Sequence, residues 1–334
     1  MACFGCPQLL AVVVVASAAA LGHCLSCRSS RDGMTLPQPT GNPKIEREQK
    51  SRSRMRSLPP IERFRHDWGA MNTRQTDYIQ ERDLKVGGVR IQLVVGVFSM
   101  AGSEEKPYRD VMRQTWMMQP SVCSLASGQS GHCSVYVTFV VGNDGEQDET
   151  EEGVTILPIK ENMDEGKTRV WFGHAASAWP WGTHVVKLDA DAFPYLSYVL
   201  GTIARMTSGL PCKNVYGGDI MTWSGPVYLP PRGCGLPIGS DFTKYHLPDP
   251  NCFAYAQGAM YFMTRELALN ASKAGEYWDL DTKAHCYPED VTTGRGVKHY
   301  ADDHGVCVST VHWDPRQARW HQRAPVRPWR GCPK

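Results

Sequence analysis

Four apolar runs rich in Val and Ile, at residues 89–98, 135–141, 154–159 and 185–189, alternate with helix-like segments, and that alternation leaves few architectures open. Runs this short and β-branched suit strands buried on both faces. Tyr108 to Trp116 and Lys167 to Ala178 read as helices between them. Strand–helix alternation predicts an α/β class, with a sheet flanked by helices and ligands received at the carboxyl ends of the strands. No internal repeat is visible. Neither G-x-G-x-x-G after the first strand nor G-x-x-x-x-G-K-[ST] occurs anywhere, so the two commonest phosphate-binding loops are absent.

The run Val185 to Phe193 ends in two carboxylates one residue apart, Asp189 and Asp191. Residues i and i+2 of an extended chain project to the same side, so the pair is able to converge on one hard cation and the phosphates it carries. A strand end with solvated acidic residues is the other reading of an isolated D-x-D.

The 334 residues carry a net charge of +2 at pH 7, unevenly placed. Residues 1–88 hold 13 Lys and Arg against 8 Asp and Glu, which leaves the remainder acidic and gives no sign of nucleic-acid binding. Leu9 to Leu21 is an apolar run that, extended to Leu25, reaches the lower limit of roughly 17 residues for a bilayer span. Small residues at 16–20 equally suit signal cleavage, so residues 1–27 are expected to act as a signal anchor or a signal peptide. Residues 28–88 are polar, Pro-containing and basic, and read as a flexible stem with a short helix near Asp67 to Asp83. Residues 89–334 form the single folded domain. Eight cysteines at 123, 133, 212, 234, 252, 286, 307 and 332 contain no C-x-x-C pair, which favours disulfides of unresolved connectivity in an oxidising compartment over a zinc site. Asn270-Ala271-Ser272 is an N-glycosylation sequon.

Five blocks in a fixed order carry a resemblance. Arg109-Asp-Val-Met-Arg113-Gln-Thr-Trp116 is similar to an R-x-x-I-R-x-T-W block, and Lys167-Thr168-Arg-Val-Trp171-Phe172 to a K-T helix ahead of a D-x-D strand. Lys187 to Phe193 is similar to K-x-D-D-D-x-F, with Ala190 at the middle carboxylate position. Ala256 to Ala268 resembles G-x-x-Y-x-x-S-R-x-L-A around Gly258 and Tyr261, and Tyr287 to Gly294 resembles E-D-V-x-x-G. In this order the blocks resemble the β1,3-galactosyl- and β1,3-N-acetylglucosaminyltransferases, particularly their trypanosomatid members.

That resemblance implies a GT-A fold, a Rossmann-like mixed sheet flanked by helices, with one catalytic domain behind the stem. It further implies a lumenal, Golgi-membrane hexosyltransferase that moves galactose or N-acetylglucosamine from a UDP-sugar to a glycan acceptor with inversion. An ER or secreted location is the alternative. Transfer from a nucleoside diphosphate needs neutralisation of the leaving pyrophosphate, which Mn2+ or Mg2+ on oxygen ligands supplies. Asp191 and, by position in a late V-H-x-x-x-P segment, His312 are the expected metal ligands, with Asp189 on the nucleotide side. Asp290 is the expected base and Glu289 its competitor, since crowded carboxylates raise one another's pKa. Arg109, Arg113 and Lys167 are expected at the nucleotide, and Gly258 at the sugar, where a side chain would obstruct. Two other classes remain open on the residues alone. One is a relative without turnover that binds glycan or UDP; the other is an aspartyl phosphotransferase, disfavoured by Phe193 two residues after the second Asp.

Overall fold

The computed structural model describes residues 58–75, 84–144, 151–224, 237–238, 241–245, 252–273 and 275–321. The apolar run at 9–21 and the expected stem up to residue 57 lie outside the described residues. Among the described residues no helix is long and apolar enough to cross a membrane.

The elements follow in the order α1 (Ile61–Arg74), β1 (Lys85–Val86), β2 (Val89–Arg90), β3 (Leu93–Phe98), α2 (Lys106–Gln114), β4 (Val122–Ser124), β5 (Val135–Gly142), β6 (Val154–Leu157) and α3 (Lys167–Ala178). Then come β7 (His184–Asp189), β8 (Ala192–Pro194), α4 (Leu196–Met206), β9 (Asn214–Ser224), β10 (Pro237–Ile238), β11 (Asp241–Tyr245) and β12 (Cys252–Thr264). The chain continues through α5 (Arg265–Lys273), α6 (Gly275–His285), α7 (Glu289–His304), β13 (Val308–His312), α8 (Pro315–Ala318) and β14 (Arg319–His321).

A ten-stranded mixed sheet runs β10-β11-β13-β9-β12-β7-β3-β5-β4, with β6 also on β5. The strands read from the sequence, β3, β5, β6 and β7, pair in parallel, with helices in the connections β3 to β5 and β6 to β7. The long strand β12 lies antiparallel between β7 and β9. The expected α/β class, a mixed sheet flanked by helices, is what the chain forms.

Strand alternation sorts the core into two layers. Leu93, Val95 and Val97 of β3, Val135, Val137 and Phe139 of β5, and Val186 and Leu188 of β7 face a cluster built with α1, α2 and α4. Val94, Phe98, Tyr136, Val140 and Val185 face the opposite cluster, closed by Trp171 and Phe172 of α3, Leu267 of α5 and Val297 of α7. Trp116, Trp171 and Phe172 are fully buried and serve packing.

The folded unit begins earlier than residue 89. Ile61, Phe64, Trp68 and Met71 recur at helical spacing along α1, and Phe64 and Trp68 are fully buried against the sheet. Their rings stack at 3.8 Å, and Trp68 meets Phe193 and Trp320 edge-on. Of the helix expected at 67–83, residues 76–83 lie outside the described residues; the described helix runs Ile61–Arg74, and this part of the stem belongs to the core. Burying two aromatic side chains offsets the ordering entropy that a purely polar segment cannot meet.

Disulfides join Cys123 to Cys133 and Cys212 to Cys307, and Cys252 and Cys286 are also disulfide-bonded. The second bridge ties the start of β9 to the start of β13, which pair in parallel from Asn214 and Val308 onward.

Candidate active site

The carboxyl end of β7 delivers the aspartate pair, and period-2 geometry assigns its neighbours. Lys187, Asp189 and Asp191 project to one side, while Val186, Leu188 and Ala190 join the α1-side core. Ala190, where the resembling enzymes carry a third carboxylate, is thus an apolar packing position. Its lost carboxylate removes no group from the cluster on the other side.

After the aspartates the chain turns into β8, and β14 returns antiparallel to it with His321 opposite Ala192. His321 Nε2 consequently lies 3.3 Å from Asp191 Oδ1. Asp189, Asp191 and His321 each offer one ligand atom, all within 4.8 Å of one another. Two carboxylates and an imidazole suit Mn2+ or Mg2+ at the oxygen end and Mn2+ at the nitrogen. Asp189 Oδ1 is buried and accepts no well-aligned hydrogen bond among the described residues, although Lys187 Nζ sits 2.6 Å from it as an ion pair. The donor set fits a divalent cation.

His312, the ligand expected from the sequence, is not one of the three residues in this group. It ends β13 beside Gly218 of β9, and its Nδ1 accepts from the Ile220 amide at 3.1 Å. The turn through α8 leads on to β14, where His321 reaches Asp191. Nothing local in the sequence marks His321, since its place depends on the β8–β14 pairing.

The second half of the site is the start of α7, docked on β12. Gly294 permits this docking, because a Cβ there would stand 2.5 Å from the Ala254 carbonyl oxygen. Glu289 is buried and saturated: Oε1 accepts from Lys187 Nζ at 2.6 Å, and Oε2 accepts from Tyr261 Oη at 2.6 Å and Thr168 Oγ1 at 3.1 Å. Burial pushes its carboxyl above the usual range, against the pull of Lys187. Asp290 is more open. Its Oδ2 accepts from the Gly258 amide at 2.9 Å and Oδ1 from the Val291 amide at 2.8 Å. Burial, reinforced by the Glu289 charge, raises its pKa from 3.8 to about 7.

Lys187 connects the two halves. It is fully buried, and its ammonium meets Asp189, Glu289 and the Gly258 carbonyl together. Those carboxylates hold it charged above the ordinary lysine range in spite of its burial. A cation inside an apolar strand is the visible signal of this role, and the D-x-D reading passed over it. Gly258 sits where a Cβ would lie 3.1 Å from Glu289 Oε1 and 3.4 Å from Asp290 Oδ2. What it accommodates inside the protein is the close approach of these carboxylates.

The three basic residues expected at the nucleotide are engaged internally. Arg109 grips Glu151 with Nε at 2.9 Å and with Nη2, while its Nη1 reaches Ser99 Oγ and the Met100 carbonyl. Arg113 Nη2 shares Glu151 at 2.8 Å. Although burial alone would raise Glu151, the hydrogen bonds from Arg109 and Arg113 bring it down to about 2. Lys167, fully buried, donates to Glu161 Oε1 at 2.6 Å and to the Ser99 carbonyl at 2.9 Å. All three brace the ends of β3 and β5. The partner carboxylates lie in loops without periodicity, which is why the sequence did not show them.

A cavity of about 280 Å³ lined by Ile91, His184, Val215 and Thr264 lies at the opposite ends of the strands from the aspartates, and burial holds His184 there neutral, with a pKa of about 4.

No curated protein matches the chain. Among solved structures, the inositol-1-phosphate CTP transferase from T. maritima is similar over 67% of this chain and 86% of that one, at 12% identity and a TM-score of 0.26, too distant to carry an argument. Residues 107–294 match a family model described as galactosyltransferase. The matched span runs from the Arg109 helix through the aspartate pair to Glu289, Asp290 and Gly294, and the mixed α/β architecture is consistent with a GT-A glycosyltransferase domain. Such a domain implies hexosyl transfer from a UDP-sugar to a glycan acceptor. The match covers more than half of the sequence, and the chain belongs to the galactosyltransferase family.

Proposed function

We propose that this chain is a metal-dependent, inverting hexosyltransferase that moves galactose or N-acetylglucosamine from the UDP-sugar to a glycan hydroxyl, forming a β1,3 linkage. The observation that carries the reading is Asp290, a largely buried carboxylate with its pKa raised to about 7, next to Glu289, which Lys187 joins to Asp189. A base poised near the operating pH removes a hydroxyl proton most effectively.

In this reading Asp290 takes the acceptor's proton as the acceptor oxygen attacks the anomeric carbon. The bond from that carbon to the diphosphate oxygen breaks, and its electron pair leaves with UDP. Asp189, Asp191 and His321 would hold a divalent ion, which would supply charge neutralisation at the diphosphate. Glu289, saturated by three donors, keeps Lys187 and the start of α7 in place and leaves proton transfer to Asp290. Arg109, Arg113 and Lys167 act as supports for the strand ends. The disulfides favour an oxidising compartment, and we place the catalytic domain in the Golgi lumen behind the N-terminal segment.

A donor screen by UDP release, followed by NMR of the product's anomeric proton, tests the assignment. Transfer from UDP-galactose or UDP-N-acetylglucosamine with a β product is expected; an α product would remove the base role from Asp290. The reading of a relative without turnover rests on Ala190, and the packing of that residue on the core side gives it no support.

A further inference from the structure

Arg319 opens β14, two residues before His321, so the two side chains project to the same side of the strand. His321 reaches Asp191 on that side. The Arg319 side chain is only 5% exposed, and its Nη2 stands 4.0 Å from Asp219 Oδ2. Its Nε and Nη1 are buried and have no hydrogen-bond partner among the described residues. The nearby charges are carboxylates, Asp219 with Asp189 and Asp191. Arg319 lies outside the span matched by the family model and outside every block of the sequence resemblance.

A buried guanidinium with two orphan N–H directions is costly, since each lost hydrogen bond to water is uncompensated. The other buried arginine near a strand end, Arg109, is fully satisfied by Glu151, Ser99 and Met100. Arg319 differs in that Nε and Nη1, on opposite sides of the guanidinium, are both unmatched, while Asp219, Asp189 and Asp191 supply the charges around it. The group that satisfies a planar fork there is an anion with several oxygens, and the aspartate cluster admits one only alongside a cation. A diphosphate bound between the divalent ion and the guanidinium meets both demands.

We propose that Arg319 binds the diphosphate of the donor nucleotide and stays with it as the leaving group departs, an assignment that rests on the donor reading above. It is a phosphate-binding residue contributed from beyond the family-matched region. The ion pair with Asp219 is then the resting arrangement of the same side chain.

The test is calorimetric binding of UDP, uridine and inorganic pyrophosphate to the full chain in Mn2+, for the wild type, Arg319→Gln, Arg319→Lys and Asp219→Asn, with thermal melting alongside. Arg319→Gln is expected to weaken UDP and pyrophosphate by about tenfold or more, the scale of a charge-assisted hydrogen bond, and to leave uridine unchanged. Arg319→Lys recovers part of the loss, because it keeps the charge and lacks the fork. Asp219→Asn keeps or improves UDP affinity, since it releases the guanidinium. Equal affinities for UDP in wild type and Arg319→Gln would overturn the proposal, as would parallel losses of UDP and uridine. Should Arg319→Gln fail to fold, Arg319→Lys and Asp219→Asn still decide: unchanged UDP affinity in the first, or a loss in the second with melting unaltered, overturns it. A wild type that binds pyrophosphate through Arg319 yet ignores UDP would refute the donor reading and leave the anion site standing.

Discussion

Replacing Asp290 by Asn should make the protein more stable at neutral pH while strongly reducing transfer. Folding raises the Asp290 pKa from 3.8 to about 7, roughly 3 units, chiefly because burial disfavours the carboxylate. At about 1.36 kcal/mol per unit the full effect is ~4 kcal/mol. Asp290 is partly exposed, so water screens the charge, and Asn has to reproduce the acceptor roles toward Gly258 and Val291; a net gain of ~1–2 kcal/mol is the reasonable expectation. The sign follows from proton counts. Between pH 4 and 7 the native state holds a proton that the unfolded state has released, so wild-type stability falls as pH rises through that window. The variant lacks this slope. Urea unfolding of both proteins at pH 4.5 and 8, with transfer assayed in parallel, should show near-equal stability in acid, the variant ahead at pH 8, and activity lower by about 10²–10⁴-fold. Equal stability at both pH values, or an active variant, would refute the reasoning.

Three further outcomes are expected. Lys187→Met strands Glu289 and Asp189 without their buried counter-ion and should cost about 3–5 kcal/mol in denaturant unfolding, with a large part restored by adding Glu289→Gln; a loss under 1 kcal/mol would show the ion pairs to be dispensable. His321→Ala should weaken Mn2+ binding by about tenfold or more in the presence of UDP, whereas His312→Ala leaves it unchanged, as followed by electron paramagnetic resonance of free Mn2+. A chain beginning at residue 89 loses Phe64 and Trp68, each worth about 3–5 kcal/mol on truncation, and should be less stable than one beginning before Leu58; matched melting curves would contradict the packing of α1.

What the sequence disclosed, and what it hid, follows from the range of the interactions. The parallel strands were legible because β3, β5 and β7 are buried on both faces and so carry runs dominated by Val, Leu and Phe. The aspartate pair and Glu289–Asp290 were legible as carboxylates at strand and helix ends. The helix α1 did have a signal in Ile61, Phe64, Trp68 and Met71, but the surrounding charge made the segment read as solvated stem. Long strand β12 was seen only as a motif block, since pairing on both sides with β7 and β9 is a tertiary fact. The roles of His321 and Arg319 were hidden for the same reason, and for Lys187 the sequence showed a cation within an apolar strand but not its partners. Each depends on partners far away in sequence: Glu289 for Lys187, Asp191 for His321, Asp219 for Arg319. Glu151 and Glu161, which engage the expected nucleotide-binding cations, sit in loops whose position no local pattern fixes.

The central claim is that one site joins a cation held at the aspartate pair to a base at Asp290. The most direct measurement is UDP released from UDP-galactose and UDP-N-acetylglucosamine by the full chain, with Mn2+ and with chelator, for the wild type, Asp191→Ala and Asp290→Ala. The account expects Mn2+-dependent release by the wild type and its collapse in both variants while their unfolding transitions remain cooperative. Undiminished release from either folded variant, or release indifferent to the chelator, would contradict it.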